Sequence, residues 1–440
     1  MASLYVHIPF CLKRCIYCDF ISGIYTPEKA DVYINALKKE IRSISDKIPF
    51  STLYIGGGTP TVFPVYVLSD LLSHIFKHLK HSKNYEATIE ANPGTLDKDK
   101  LQAIRSSGIN RISIGIQSFN NKELAFLGRV HTREEAEQAV LLSRDIGFEN
   151  IGIDLIYGIP EQDIKTWRKT LEKAVSLKPK HISTYELTVE KGTLLYEYMK
   201  ADAYATNNTK NNNGGSCHSR VGGNPEQGGK DMDSCFRRND EKEQRRIFKE
   251  QHKLIPLDED EIIEMYNYTI DYLTSEGFIH YEISNFAKPD YFCRHNLNYW
   301  DRGEYYGVGL GAHSFAGGRR YCNTDNFEEY VNLISAGKSP VKGAENITEG
   351  KALSETLFLG LRKTEGINLN AFHKAYGKDV LKFYQKEIKE LKEAGLIEVN
   401  PPSPPFTKGG LGGFLGKTDA YLRLTRKGLL LSNEVFIKFM

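Results

Sequence analysis

The chain carries almost no net charge. In 440 residues, 58 Lys and Arg stand against 56 Asp and Glu, a formal +2 at pH 7. That balance gives nucleic acid, an acidic membrane or another strongly charged partner no electrostatic foothold. A run of about eighteen apolar residues, the minimum for a membrane-crossing helix, is also missing. The start, Met1-Ala2-Ser3-Leu4-Tyr5-Val6-His7, has no basic stretch followed by an apolar one, so no secretory signal is read and a cytoplasmic location is expected. The seven cysteines are few and odd in number, which is poor material for a disulfide framework. What is present, 40% hydrophobic and 26% charged residues, is the mixture of a globular chain of roughly two or three domains.

Large apolar side chains are nearly absent from one stretch. Between 207 and 246 they are limited to Val221, Met232 and Phe236, apart from cysteines, while Asn, Gly, Lys and Arg dominate. Such a segment cannot bury enough surface to offset its ordering entropy, so disorder is expected there, with no role for Cys217 or Cys235. A Pro/Gly-rich stretch at 401–417 reads the same way, and both are taken as tolerated surface insertions.

Elsewhere the pattern is regular. Strands are predicted at 4–8, 52–55, 86–90, 111–115, 151–157 and 181–185. Helices fall between them at 28–41, 67–79, 98–107, 133–146 and 164–177, where apolar residues recur every three or four positions. Strand alternating with helix implies an α/β fold on a parallel sheet. Six such units are too few for a closed eight-fold barrel and fit an incomplete (β/α)6 TIM-like barrel, with its chemistry at the C-terminal strand ends. Further on, a helix at 259–276, a strand at 279–283 and an aromatic, Gly- and His-rich stretch at 291–315 are expected. The end reads as helices 354–361, 369–376 and 380–394, strands 397–399 and 421–424, and a helix 427–438. That is a winged-helix-like α+β module, and its 380–394 helix mixes Lys and Glu without a basic stripe, which favours a packing or partner role over DNA binding. The expected division is 1–200 barrel, 201–250 insert, 251–345 barrel-covering segment and 346–440 C-terminal domain.

Three cysteines crowd into Cys11-Leu12-Lys13-Arg14-Cys15-Ile16-Tyr17-Cys18, a C-x3-C-x2-C spacing directly after the first strand. Three thiolates can hold three irons of a [4Fe–4S] cube and leave the fourth iron open to a small molecule. The residues alone also allow zinc, held by the three thiolates and the nearby His7. A second signal is Gly56-Gly57-Gly58-Thr59-Pro60 after the second strand, where glycines let backbone approach a ligand closely.

The triad, the aromatic Tyr17 before its third cysteine and the glycine run together resemble the radical S-adenosylmethionine (SAM) superfamily. That resemblance implies a [4Fe–4S] cluster on Cys11, Cys15 and Cys18, SAM on the open iron, and one-electron reduction of SAM to a 5′-deoxyadenosyl radical. The opening Tyr5-Val6-His7-Ile8-Pro9-Phe10-Cys11 narrows it to the branch of the oxygen-independent coproporphyrinogen III oxidases and the related HemW-type heme chaperones. By that resemblance Tyr5, Gly57, Gly58, Thr59, Glu90, Gln117, Arg129 and Asp154 are SAM contacts.

Within the branch two features favour the chaperones. The oxidases carry a fourth cysteine where this chain has Phe20, and they place an N-terminal extension before the first strand that is not expected here. Arg294-His295-Asn296-Leu297-Asn298-Tyr299-Trp300 resembles the chaperone word H-N-x-x-Y-W, which makes His295 the candidate axial ligand of heme, with Cys293 as an alternative. His313 is expected to line the barrel mouth. The resemblance thus implies a protein that binds the cluster, SAM and heme and passes heme to acceptor proteins, including acceptors met at the inner face of the membrane. Oxidative decarboxylation of coproporphyrinogen III is the second reading, and radical modification of nucleic acid a third.

Overall fold

A computed structural model of the chain describes residues 2–44, 49–206, 257–400 and 419–440. Both predicted insertions, including Cys217 and Cys235, fall largely outside the described residues.

Six parallel strands form the centre of the molecule: β1 (Ala2–Ile8), β2 (Phe50–Gly57), β3 (His81–Ala91), β4 (Arg111–Gln117), β5 (Asn150–Tyr157) and β6 (His181–Glu186). They lie side by side in chain order, each parallel to the next. Helices Pro27–Ile44, Val65–His78, Lys98–Ser106, Arg133–Asp145 and Ile164–Ser176 make the crossovers, within a few residues of their expected bounds. Their starts follow from the local sequence. Asp97 and Asp163 cap two of them, and Thr132 with Glu135 forms a capping box on a third. A short helix, Asn121–Leu127, was not expected; it ends on Gly128 in the left-handed conformation (φ 73°) and thereby turns the chain toward Arg129.

Strand alternation sorts the side chains. Leu4, Val6 and Ile8 of β1 are fully buried against the helices, while Ser3, Tyr5 and His7 point to the other face. The same rule sends Thr52, Tyr54, Glu86, Thr88, Glu90, Arg111, Ser113, Asp154 and Ser183 inward. The barrel interior is therefore polar, and the apolar core lies between sheet and helices.

The strip 279–346 does more than cover the barrel. It extends the same sheet on both edges to twelve strands. Tyr305–Val308 runs parallel beside β1, followed by His313–Ala316, Arg319–Asn323 and Val341–Asn346, all antiparallel. On the other edge Asn285–Ala287 and Ile279–Glu282 pair antiparallel beyond β6. The sequence pattern showed only one of these strands because the rest are short and joined by turns. The C-terminal region carries a three-stranded antiparallel sheet with Tyr421–Leu424 between Ile367–Asn368 and Ile397–Asn400. Two expected helices are each broken. The first breaks at Tyr384 (φ −109°, ψ 38°) and the last at Leu431 (φ −103°, ψ 32°), residues outside helical backbone geometry.

Candidate cluster and cofactor site

The cysteine loop follows β1 and is tied down on several sides. A short parallel pair, Phe10–Cys11 with Gly23–Ile24, closes its base. The Cys18 N–H donates to the Cys15 carbonyl at 3.3 Å, and the Ile16 N–H to that of Leu127 at 3.3 Å. All three thiols are free and partly accessible. Thr59 Oγ1 donates to Cys11 Sγ at 3.6 Å, and Arg129 Nη1 to Cys15 Sγ at 3.4 Å. Burial pushes the Cys11 thiol up and that of Cys18 up to about 11. Thiolates at these positions therefore call for a cation. Among the described residues no three His, Cys, Asp or Glu side chains converge as a site for a single metal ion. A cube, which takes each thiolate on a separate iron, does not need them to, and the donor set fits one.

Beside this loop stand the inward groups of the strand ends. Tyr5 hydroxyl donates to His7 Nδ1 at 3.0 Å, and His7 Nε2–H to the Ile21 carbonyl at 2.8 Å, which fixes the tautomer. The glycines of β2 are dictated by what they touch. A Cβ at Gly56 would lie 2.8 Å from the Glu90 carboxylate, and one at Gly57 (φ +113°) 2.5 Å from the His7 ring. The N–H groups of Gly57, Gly58 and Thr59 are all taken, by Glu90 Oε2 (3.1 Å), Ile8 O (2.8 Å) and Phe10 O (2.7 Å). Glu90 also accepts from the Tyr54 hydroxyl at 2.7 Å. Its carboxyl is pushed up to about 7, chiefly by desolvation and further by nearby Asp154. Asp154 accepts from Ser183 Oγ at 2.7 Å and Ser113 Oγ at 3.1 Å, and burial raises its pKa too.

β4 ends in a bulge between Gly115 and Gln117 that leaves Gln117 in the left-handed region, φ 71°. Arg129 Nη2 donates to the Gly115 carbonyl at 2.6 Å and His131 Nε2–H to that of Ile116 at 3.0 Å, so two side chains grip the bulge. Arg129 Nε is buried with no partner among the described residues, a donor left for a ligand. Tyr5, Glu90, Gln117, Arg129 and Asp154 are each half-buried although protein surrounds them, so they line an accessible interior.

Residues 5–174 match the family model of the radical SAM superfamily, and 347–401 that of the HemN C-terminal domain. The heme chaperone HemW of Bacillus subtilis is 32% identical over 444 residues, covering 100% of this chain and 99% of that one. The chain belongs to the HemW family of radical SAM proteins. HemW of Escherichia coli is 32% identical over 315 residues, 71% of this chain and 69% of that one. The solved coproporphyrinogen III oxidase HemN of Escherichia coli shares the fold at TM-score 0.74 and 20% identity, over 100% of this chain and 89% of that one. Membership of the radical SAM superfamily implies a [4Fe–4S] cluster and SAM.

The HemW-like word at 294–300 forms a short helix, Arg294–Trp300, that closes the N-terminal end of the barrel, opposite the cysteine loop. Its first N–H groups, of Arg294 and His295, donate to the Glu86 carboxylate at 3.2 and 3.1 Å. His295 is 1% exposed. Thr52 Oγ1 donates to Ser3 and so accepts from His295 Nδ1–H at 2.8 Å, leaving Nε2 to accept from the Tyr299 hydroxyl at 2.9 Å. Burial and then Arg111 push this imidazole down to about 3. Both ring nitrogens are therefore engaged and neither is open to an iron in this structure, because the ring is built into the barrel floor. Cys293 is fully buried, its thiol pushed up to about 12, with Sγ 3.8 Å from Glu86. His313 is exposed, opposite Cys322 on the neighbouring strand, and its ring makes no hydrogen bond among the described residues. A Cβ at Gly311 would lie 2.3 Å from Ile21 of the cysteine loop, so this turn stands at the loop's edge.

Tyr54, Gly115 and Ser183 were not singled out in the sequence, and His7 entered only as a possible zinc ligand. Strand alternation carried the signal, since each falls on the inward parity of its strand.

Proposed function

We propose that the chain is a heme chaperone that binds a [4Fe–4S] cluster, SAM and heme and delivers heme to acceptor proteins. The observation that carries this reading is the full-length likeness to HemW heme chaperones at 32% identity. When bound, the cluster and SAM supply one-electron chemistry. Cys11, Cys15 and Cys18 hold the cluster. Thr59 and Arg129 donate toward the Cys11 and Cys15 thiolates and stabilise their negative charge. Gly57, Gly58 and Thr59, with their N–H groups already used, offer the SAM ammonium carbonyl oxygens and the Thr59 hydroxyl oxygen as acceptors. Tyr5, Glu90, Gln117 and Asp154 take its remaining polar groups. The domain division at 200, 250 and 345 is part of the same reading.

In this reading heme binds at the barrel mouth. The cysteine loop exposes Leu12 (50%), Phe20 (61%), Ile21 (39%) and Ile24 (48%), an apolar surface suited to a porphyrin face. The imidazole with open nitrogens there is that of His313. For His295 to ligate, Tyr299 must first release it. No helix among the described residues is long and apolar enough to cross a membrane, so an acceptor at the membrane is met by peripheral contact.

The test is an anaerobic heme titration of the cluster-loaded protein, followed by its visible spectrum, beside His313→Ala and His295→Ala. Saturable binding near one heme per chain is expected, with the spectrum altered in His313→Ala. If only His295→Ala changes the spectrum, the ligand is on the floor and the barrel opens to receive heme. Absence of saturable binding, together with conversion of coproporphyrinogen III, overturns the chaperone reading in favour of the oxidase.

A further inference from the structure

Among the described residues, Glu90 is the one carboxylate at the strand ends whose hydrogen bonds come from the glycine strand itself. One oxygen accepts from the Gly57 N–H at 3.1 Å and the other from the Tyr54 hydroxyl at 2.7 Å. Tyr54 in turn stacks on His295, with centroids 5.0 Å apart and planes at 29°. That imidazole is fixed at both nitrogens by Thr52 and Tyr299. Behind it, Glu86 holds the backbone of the floor helix. The missing side chain at Gly56 keeps the arrangement possible, since a Cβ there would meet both the Glu90 carboxylate (2.8 Å) and the Tyr54 ring (2.9 Å).

We infer that Tyr54, braced by His295, is a positioning residue that aims the Glu90 carboxylate at the ribose of SAM. The inference rests on the reading of Glu90 as a SAM contact. It gives the H-N-x-x-Y-W word a role besides heme ligation: the floor of the barrel and the SAM site share one rigid column, His295–Tyr54–Glu90–Gly57. The ribose hydroxyls donate to an ionised carboxylate. A carboxyl that loses the Tyr54 donor ionises at higher pH, because that hydrogen bond favours the charged form. The other charged or titratable groups facing Glu90 are Tyr5 from β1, Arg111 from β4, Asp154 from β5 and Tyr185 from β6, and all are unchanged by substitution at 54.

The experiment is calorimetric binding of SAM to the full, cluster-loaded chain across pH, for wild type, Tyr54→Phe, His295→Ala and Glu90→Gln, with iron content and thermal unfolding measured alongside. Tyr54→Phe is expected to weaken SAM about tenfold near neutral pH, to shift the midpoint of the pH dependence upward, and to approach wild type in alkali. His295→Ala is expected to weaken SAM in the same direction; if it does not fold, Tyr54→Phe decides the matter. Tyr54→Phe binding like wild type while Glu90→Gln binds poorly would overturn the positioning role alone. A loss in Tyr54→Phe that is equal at every pH also overturns it, as a merely structural effect. Wild-type binding by Glu90→Gln removes the SAM-contact reading and this inference with it.

Discussion

Arg129 places one terminal guanidinium nitrogen 3.4 Å from the Cys15 sulfur and the other terminal one 2.6 Å from the Gly115 carbonyl oxygen. One side chain thus links the cysteine loop to the bulge at the end of β4, and its charge sits where the thiolates need it. Replacing it by Gln is expected to leave iron and sulfide incorporation near normal. It should lower the cluster's reduction potential, because removing a nearby cation disfavours the added electron. A redox titration followed by electron paramagnetic resonance reads this, and an unchanged potential would show that Arg129 only shapes the bulge.

Each of Cys11→Ser, Cys15→Ser and Cys18→Ser is expected to abolish iron and acid-labile sulfide after anaerobic reconstitution. Cys322→Ser, on the strand next to the edge of the extended sheet, is expected to retain both. Retention of a full cluster in any of the first three removes that residue from the ligand set.

Gly115→Ala puts a methyl 3.0 Å from Gln117 Nε2 and 3.4 Å from Arg129 Nη2. Both neighbours must yield, so SAM affinity is expected to fall severalfold with little change in stability. Gly147→Ala is the opposite case. Gly147 has φ +97° and no atom within 4 Å of the added methyl. It should cost about 1 kcal/mol of stability through backbone strain and leave SAM binding alone. Equal SAM affinities in wild type and Gly115→Ala would show that the bulge does not shape the site.

Acid should destabilise the fold through its buried histidines. His131 and His295 are pushed down to about 3 and His280 to about 4, all chiefly by burial. Between those values and their ordinary 6.5 the unfolded chain holds protons that the folded one does not, so stability falls as pH falls through that window. Glu90, raised to about 7, acts in the other direction, losing stability as pH rises from about 4.5 to 7. In His280→Leu the decline below pH 6.5 is expected to be shallower than in wild type by up to about 1.4 kcal/mol per pH unit. Urea unfolding at a series of pH values measures it, and parallel curves would mean that His280 takes up its proton in the folded state.

Local information in the sequence was enough for the barrel. Apolar periodicity over short windows placed β1 to β6 and the five main crossover helices within a few residues, since each strand and helix buries a face of its own. The cysteine triad and the glycine run were legible for a similar reason: their chemistry is a matter of spacing along the chain. Only the tertiary structure could show that Tyr305–Val308 lies parallel beside β1, that Arg129 reaches Cys15 across 114 positions, or that His295 sits under Tyr54 with both nitrogens taken. Those facts depend on which strand ends the open, curved sheet brings together. A histidine's partners, and so its freedom to bind a metal, are set by what packs around it rather than by the word it is written in.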